Sequence, residues 1–135
     1  MKRLSENIVE FYDKLSSWEN ETVRDSGITL QQAHTLEVIG SNKEIRMKEI
    51  TQRLGIATGT LTVMIDRLTK LDLVKRVVNT SDKRSYYIEL TNKGQALYKE
   101  HSNHHDMLVT ELAHDLSDTE RETLNNLLEK ILERF

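Results

Sequence analysis

From Ser5 to about Arg24 the apolar residues Ile8, Phe11, Tyr12, Leu15 and Trp18 recur at intervals of three and four, the spacing that lines one face of an α-helix. Asp25, Ser26 and Gly27 end it. Thr29 then has the chemistry of a helix cap, and Leu30, Ala33, Leu36, Val38 and Ile39 carry a second helix to Gly40. A short helix from Met47 to Leu54, a turn at Gly55 and a longer helix from Ala57 to about Leu71 follow, which is helix-turn-helix spacing. Within this pair Met47, Ile50, Leu54, Leu61, Ile65 and Leu68 fall on inward faces, and Thr58, Thr62, Asp66 and Arg67 on the outer side of the longer helix. From Leu73 the period changes to two: VKRVV and SYYIEL flank NTSDKR, two short strands around a polar, basic tip. Beyond Thr91, a further cap, Leu97, Met107, Leu108 and Leu112 mark a long helix to about His114. A last helix opens with the capping box formed by Ser117 and Glu120, and carries Leu124, Leu127, Leu128, Ile131 and Leu132 as a broad stripe.

A hairpin directly after a helix-turn-helix makes the winged variety, so the expected fold is mainly α, a winged helix-turn-helix with N- and C-terminal dimerisation helices. Residues 1–135 are expected to form a single domain, in which 29–94 are the winged helix-turn-helix lobe, of the kind that binds DNA, and 1–28 and 95–135 are the dimerisation helices. The reason is burial: the stripes on the terminal helices have no partner within a small winged core and need one. Packing both ends against the same ends of a second copy satisfies them, and the two-fold axis presents two recognition helices.

Composition narrows the partners. With 135 residues, 37% of them hydrophobic and 30% charged, the chain can bury a core without disulfides or metal. No stretch approaches the roughly 18 consecutive apolar residues of a membrane span, and the N-terminal pattern, broken by Glu6, Glu10 and Asp13, is not that of a signal peptide. A cytoplasmic location is expected, which the absence of cysteine fits. The net charge of -3 argues against nucleic acid until it is divided along the chain: residues 43–99 hold 12 basic and 6 acidic residues, and the rest of the chain 7 basic and 16 acidic. A basic middle between acidic ends is the distribution expected when one lobe meets phosphate.

Threonine is a poor helix former, yet Thr58, Thr60 and Thr62 crowd the start of the second helix of the pair. Their hydroxyls suit phosphates and base edges, their methyls suit thymine, and Gly59 between them permits close backbone approach. Capping and surface filling are the plainer explanations of the same residues. Enzyme signatures are missing: there is no G-x-S-x-G elbow, H-E-x-x-H, P-loop or dinucleotide fingerprint, which leaves a metal-dependent hydrolase built on the histidines as a remote alternative. A helical partner-binding module does not explain the basic hairpin.

The order of elements, and the run LTVMIDRLTKLDLVKRVVNTSDKRSYYIELTNKG in particular, resembles the MarR family of bacterial transcriptional regulators over nearly the whole chain. Its most specific part is the wing, with Asp82, Lys83 and Arg84 at the tip and an alternating strand ending in Leu90-Thr91-Asn92-Lys93-Gly94. The resemblance implies a homodimeric, sequence-specific DNA-binding regulator on a pseudo-palindromic operator, usually a repressor released by a ligand. By position, Arg84 would enter the minor groove and Asp82 would brace it. Thr58, Gly59, Thr60 and Thr62 would face the major groove. Arg67, Lys75 and Arg76 are either phosphate contacts or charges on a solvated face.

HSNHHD, residues 101–106, is the second chemical stretch. His101 and His105 are four apart on one helix face, a spacing at which two imidazoles can hold one metal, although exposed helices carry such pairs without one. The chain is similar to MarR-type repressors of zinc uptake in Gln32-Ala33-His34 and in Glu100-His101 to His105. That likeness implies His34, His101 and His105 with a carboxylate, Glu19 or Glu21, as a tetrahedral site. Ala33 stands where those proteins place a second-site glutamate, and there is no cysteine. The same histidines, with AHTLEVIG and LSDTERETL, resemble the MarR-type repressors of fatty-acid synthesis. Those respond to acylated carrier protein, and the likeness implies lipid genes as targets and a channel near Trp18, Leu36 and Leu108. No cofactor is required on either reading, zinc being an effector on one and an acyl carrier or other small molecule on the other.

Overall fold

The computed structural model describes residues 1–135 and contains six helices and one hairpin in the order α1 (Lys2–Val23), α2 (Leu30–Gly40), α3 (Met47–Leu54), α4 (Thr58–Lys70), β1 (Val74–Val78), β2 (Tyr86–Leu90), α5 (Asn92–Leu112) and α6 (Asp118–Leu132). No helix is long and apolar enough to cross a membrane. The chain forms two compact units, Met1–Ser102 and Asn103–Phe135, with α5 running through the boundary.

The first unit holds the core. Leu36 and Ile39 of α2, Ile50 of α3, Leu61, Ile65 and Leu68 of α4, and Val74 and Ile88 of the hairpin are buried together with Ile45, Leu73 and Met64. Each of α2, α3 and α4 contributes its periodic apolar face, so for these helices the pattern in the sequence and the burial in the fold coincide. Start and stop signals account for the boundaries. Thr29 caps α2 in a reciprocal box with Gln32, and Gly55 closes α3 in the left-handed conformation at φ 64°, which lets the chain turn sharply into α4.

Antiparallel β1 and β2 pair in the register Val74↔Leu90 to Val78↔Tyr86, and Ile45 adds an isolated bridge to Ile88. The L-T-x-x-G run after β2 is a joint. The Thr91 hydroxyl donates to the Asp72 carbonyl at 2.6 Å and accepts from the Gly94 N–H at 3.0 Å, while the Thr91 N–H donates to the Leu73 carbonyl at 3.0 Å. Gly94 is buried with its Cα against that same carbonyl, where a Cβ would overlap the Leu73 oxygen. The start of α5 is thereby bolted to the turn between α4 and β1.

In the first unit, α1 is exposed along its first 13 residues, with Leu4, Ile8, Phe11 and Tyr12 each more than half accessible. In the second unit α6 buries no residue of its own, and Leu124, Leu127, Leu128, Ile131 and Leu132 lie open on it. Its start has the expected capping box between Ser117 and Glu120.

Replacing Gly94 by Ala is expected to cost about 2–3 kcal/mol, the upper part of the overpacking range, because backbone and not a flexible side chain blocks the new methyl. Thermal unfolding should report it as a drop in Tm on the order of 5–10 °C. An unchanged Tm would mean that α5 can move off Leu73 without loss.

Candidate nucleic-acid interface

The second helix of the helix-turn-helix starts in an unusual way. Its cap position is Ala57, and no side chain caps its first turn. Capping therefore does not explain the threonines: Thr58, Gly59 and Thr60 occupy the first turn itself, all three exposed, with the N–H groups of a helix start among them. Thr62 is exposed one turn on and donates its hydroxyl to the Thr58 carbonyl at 2.9 Å. A Cβ at Gly59 would meet nothing within 4 Å, so nothing inside the protein requires glycine there. The opposite face of α4 is sealed, Leu61, Ile65 and Leu68 each being 0% exposed.

Beside this face lies the start of α2. Thr29, Gln31 and Gln32 with Thr60, Val63, Met64 and Arg67 line a hollow of about 380 Å³. The sequence reading treated Thr29 only as a cap and did not place Gln31 on the same surface as Thr60. Nothing local joins residues thirty apart.

The wing tip is held from within. The Asn79 N–H donates to the Ser85 carbonyl at 3.0 Å and its side-chain amide donates to the Ser85 hydroxyl at 3.2 Å, with Asn79 only 5% exposed. Asp82 accepts the Arg84 N–H at 3.0 Å, and its carbonyl accepts the Ser85 N–H. The Asp82 carboxylate thus holds Arg84 through its backbone N–H and leaves the guanidinium to project from the tip. Lys83 and Arg84 project from the tip, both exposed. Asn79, a buried polar residue on which the tip turns, went unnoticed in the sequence because it reads as one more turn asparagine.

The three ambiguous cations separate. Arg67 is exposed on α4 at the edge of the hollow. Lys75 lies 3.8 Å from Glu89 across the hairpin, a loose surface pair. Arg76 is engaged: its guanidinium donates to Asp66 on α4 at 2.7 Å and lies 5.7 Å from the Tyr86 ring centre. The hydrogen bond to Asp66 raises its pKa above the ordinary value.

A second cluster lies in the first unit away from α4. His34 Nε2 is 3.3 Å from a Glu19 oxygen, His101 Nε2 is 3.4 Å from a Glu37 oxygen, and the two imidazoles stand edge to face at 6.3 Å. One ligand atom each from His34, Glu37 and His101 lies within 4.8 Å of the others. Bonds of about 2.0–2.1 Å to zinc put neighbouring tetrahedral ligands about 3.4 Å apart, so modest contraction would close this set on an ion. Glu37 is the member the sequence did not offer, although it sits one turn beyond His34. Glu21 is not part of the cluster, because its carboxylate is bound by Arg24 at 2.8 Å. His105 is half-buried in the second unit, as is Leu108. Trp18 is half-buried on α1, and Leu36 belongs to the closed core.

Comparison with known proteins agrees with this arrangement. A sequence profile described as the MarR family matches residues 26–85. The HTH-type transcriptional regulator MgrA of Staphylococcus aureus is 29% identical over 118 residues, which is 87% of this chain and 79% of MgrA. The reduced form of MarR from E. coli is 33% identical, with a TM-score of 0.73 over 98% of this chain and 96% of that one. Streptococcus pneumoniae FabT, solved in complex with DNA, shares the fold at a TM-score of 0.90 and 21% identity, covering 98% of this chain and 94% of FabT. With a third of its residues shared with E. coli MarR along nearly the whole of both chains, and a winged helix-turn-helix under them, this chain belongs to the MarR family and is a DNA-binding transcription regulator, not an enzyme.

Proposed function

We propose that the chain acts as a homodimeric, ligand-responsive repressor on a pseudo-palindromic operator. Thr58, Gly59, Thr60 and Thr62 meet the major groove, Arg84 with Lys83 enters the minor groove, and Arg67 and Lys75 meet phosphates. The observation that carries this reading is the first turn of α4, exposed, uncapped and lined with hydroxyls, on the same lobe as a basic wing tip whose backbone is hydrogen-bonded to Asp82. Negative potential in a narrow minor groove attracts a guanidinium, and rigid presentation lowers the ordering cost of inserting it. The open apolar stripes on α1 and α6 support the homodimer, since such faces are seldom left to water.

Selection of a binding site from random duplexes tests the assignment. Affinity should fall steeply with salt, on the order of 10³-fold between 50 and 200 mM if about six phosphates are neutralised. Arg84→Ala should weaken binding roughly tenfold or more with folding retained, and Thr60→Ala should change sequence preference more than Arg84→Ala does. Equal losses on all sequences for Thr60→Ala would count against the groove assignment.

Gly59→Ala separates folding from contact. Alanine is favoured over glycine in a helix by up to about 1 kcal/mol, so stability should hold or rise. If the DNA backbone approaches Gly59 closely, operator affinity should nevertheless drop several-fold. Unchanged affinity would show that the glycine is not at the interface.

A divalent metal is the effector with an observation behind it, the set of His34, Glu37 and His101 with Glu19 beside it. Zinc bound there would join α2 to α5 and alter how the two recognition helices are spaced. Titrating zinc into chelator-treated protein while following operator affinity should give a response at sub-micromolar free metal that His34→Ala abolishes. No response would make the cluster structural and direct the search to acylated carriers or small lipophilic ligands.

A further inference from the structure

Asp66 is an acid on the exposed side of the recognition helix, in the part of the chain with the greatest basic excess. A carboxylate there repels phosphate, so its presence on a DNA-facing helix needs a reason. Its oxygen accepts a 2.7 Å hydrogen bond from Arg76 on β1, ten residues away. Arg76 in turn faces the ring of Tyr86 on β2 at 5.7 Å, within the range of a cation–π contact. The register explains the contact: Arg76 lies opposite Ile88 and Val78 opposite Tyr86, so Arg76 and Tyr86 share one face of the hairpin, the one that turns Ile88 and Val74 into the core. The opposite face is held too, by Arg46 at the start of α3, 5.6 Å from the Tyr87 ring centre.

We infer that Arg76 is a positioning residue that fixes the wing to the recognition helix through Asp66 and Tyr86, so that its charge is spent inside the lobe and not on a DNA phosphate. The planar guanidinium suits the task, since its edge can bond a carboxylate while its face stacks on a ring, which a lysine at the same place could not do. Both side chains of the ion pair are well exposed, 36% for Arg76 and 52% for Asp66, and exposed pairs add little to stability. What the pair sets is an angle. Major-groove and minor-groove contacts are made by different elements, and both are made at once only if α4 and the wing are held in a fixed relation.

The inference rests on the proposed use of α4 and the wing tip on DNA, and its test keeps the two apart. Asp66→Asn and Arg76→Gln, each alone and combined with Arg84→Ala, are compared by operator affinity on protein of known active fraction, well below Tm. Removing the negative charge of Asp66 would tighten DNA binding on electrostatics alone; the brace predicts weakening of about three- to tenfold, the scale of coupling between connected residues. Arg76→Gln should weaken binding with the slope of log affinity against log salt unchanged, whereas losing a phosphate contact lowers that slope by about 0.9. Arg84→Ala should cost less in either background than in the native chain, because a wing already loose gains less from its tip. Tighter binding by Asp66→Asn, a reduced slope for Arg76→Gln, or strict additivity with Arg84→Ala would each overturn the brace while leaving the wing contact standing. If Arg84→Ala has no effect in the native chain, the wing contact itself fails, and the brace with it.

Discussion

The burial of one face of α4 decides what the rest of the molecule can offer to DNA. Leu61, Ile65 and Leu68 are wholly enclosed by α2, α3 and the hairpin, so the helix cannot rotate about its own axis. A turn of 100°, one residue, would bring such side chains to water at about 1.5–3 kcal/mol each. Three of them together approach the whole stability of a small domain. The outer face, with Thr58, Thr62, Asp66 and Arg67, is therefore oriented by the burial behind it. Residues that bind a ligand need not hold themselves in place when the residues behind them do.

The wing is fixed by a different means, since two short strands have little apolar surface of their own. Besides Val74 and Ile88 in the core, hydrogen bonding at its base holds it. Asp72 ends the turn after α4 with φ at 58°, a conformation costly for a residue with a Cβ. Its carbonyl is received by the Thr91 hydroxyl, and the neighbouring Leu73 carbonyl by the Thr91 N–H. The same threonine caps α5 through the Gly94 N–H. One residue thus closes the hairpin and starts the helix that follows, and Gly94 lets the helix stand against the turn. The family-like L-T-x-x-G run is a structural joint between the hairpin and α5.

The helices, the turn at Gly55 and the hairpin were legible in the sequence because each follows from neighbours within one or two turns: apolar spacing for the helices, alternation for the strands, Thr29 and Ser117 for two of the caps. The outward placement of Thr58, Thr62 and Arg67 followed from the same periodicity. What could not be read depends on register between elements. Arg76 is a positive charge in a basic stretch, and only the meeting of β1 with α4 shows that Asp66 claims it. Glu37 looks like any helix glutamate until α5 brings His101 beside it, and Glu21 looks as good a ligand as Glu19 until Arg24 is seen to bind it. Asp82 and Arg84 stand two apart in a turn, and only the fold shows that the carboxylate meets the backbone N–H of that arginine.

The helix that carries His34 and Glu37 also carries Thr35, whose side chain points the other way. Its hydroxyl, 0% exposed, lies 2.8 Å from the Gln31 carbonyl of its own helix and 2.8 Å from the Met64 sulfur of α4, which share its single proton. Opposite sides of one three-turn helix thus face the histidine cluster and the recognition helix, with Leu36 and Ile39 packed beside Thr35 in the common core. A close-packed core has no free volume in which a small displacement can be absorbed. An effector that drew His34 and Glu37 towards His101 would therefore act on α2 as a body, and α4 would have to follow it or lose packing against it. On the proposed metal reading such a coupling would need no further network, because the face that carries the histidine and the face packed on α4 belong to the same eleven residues.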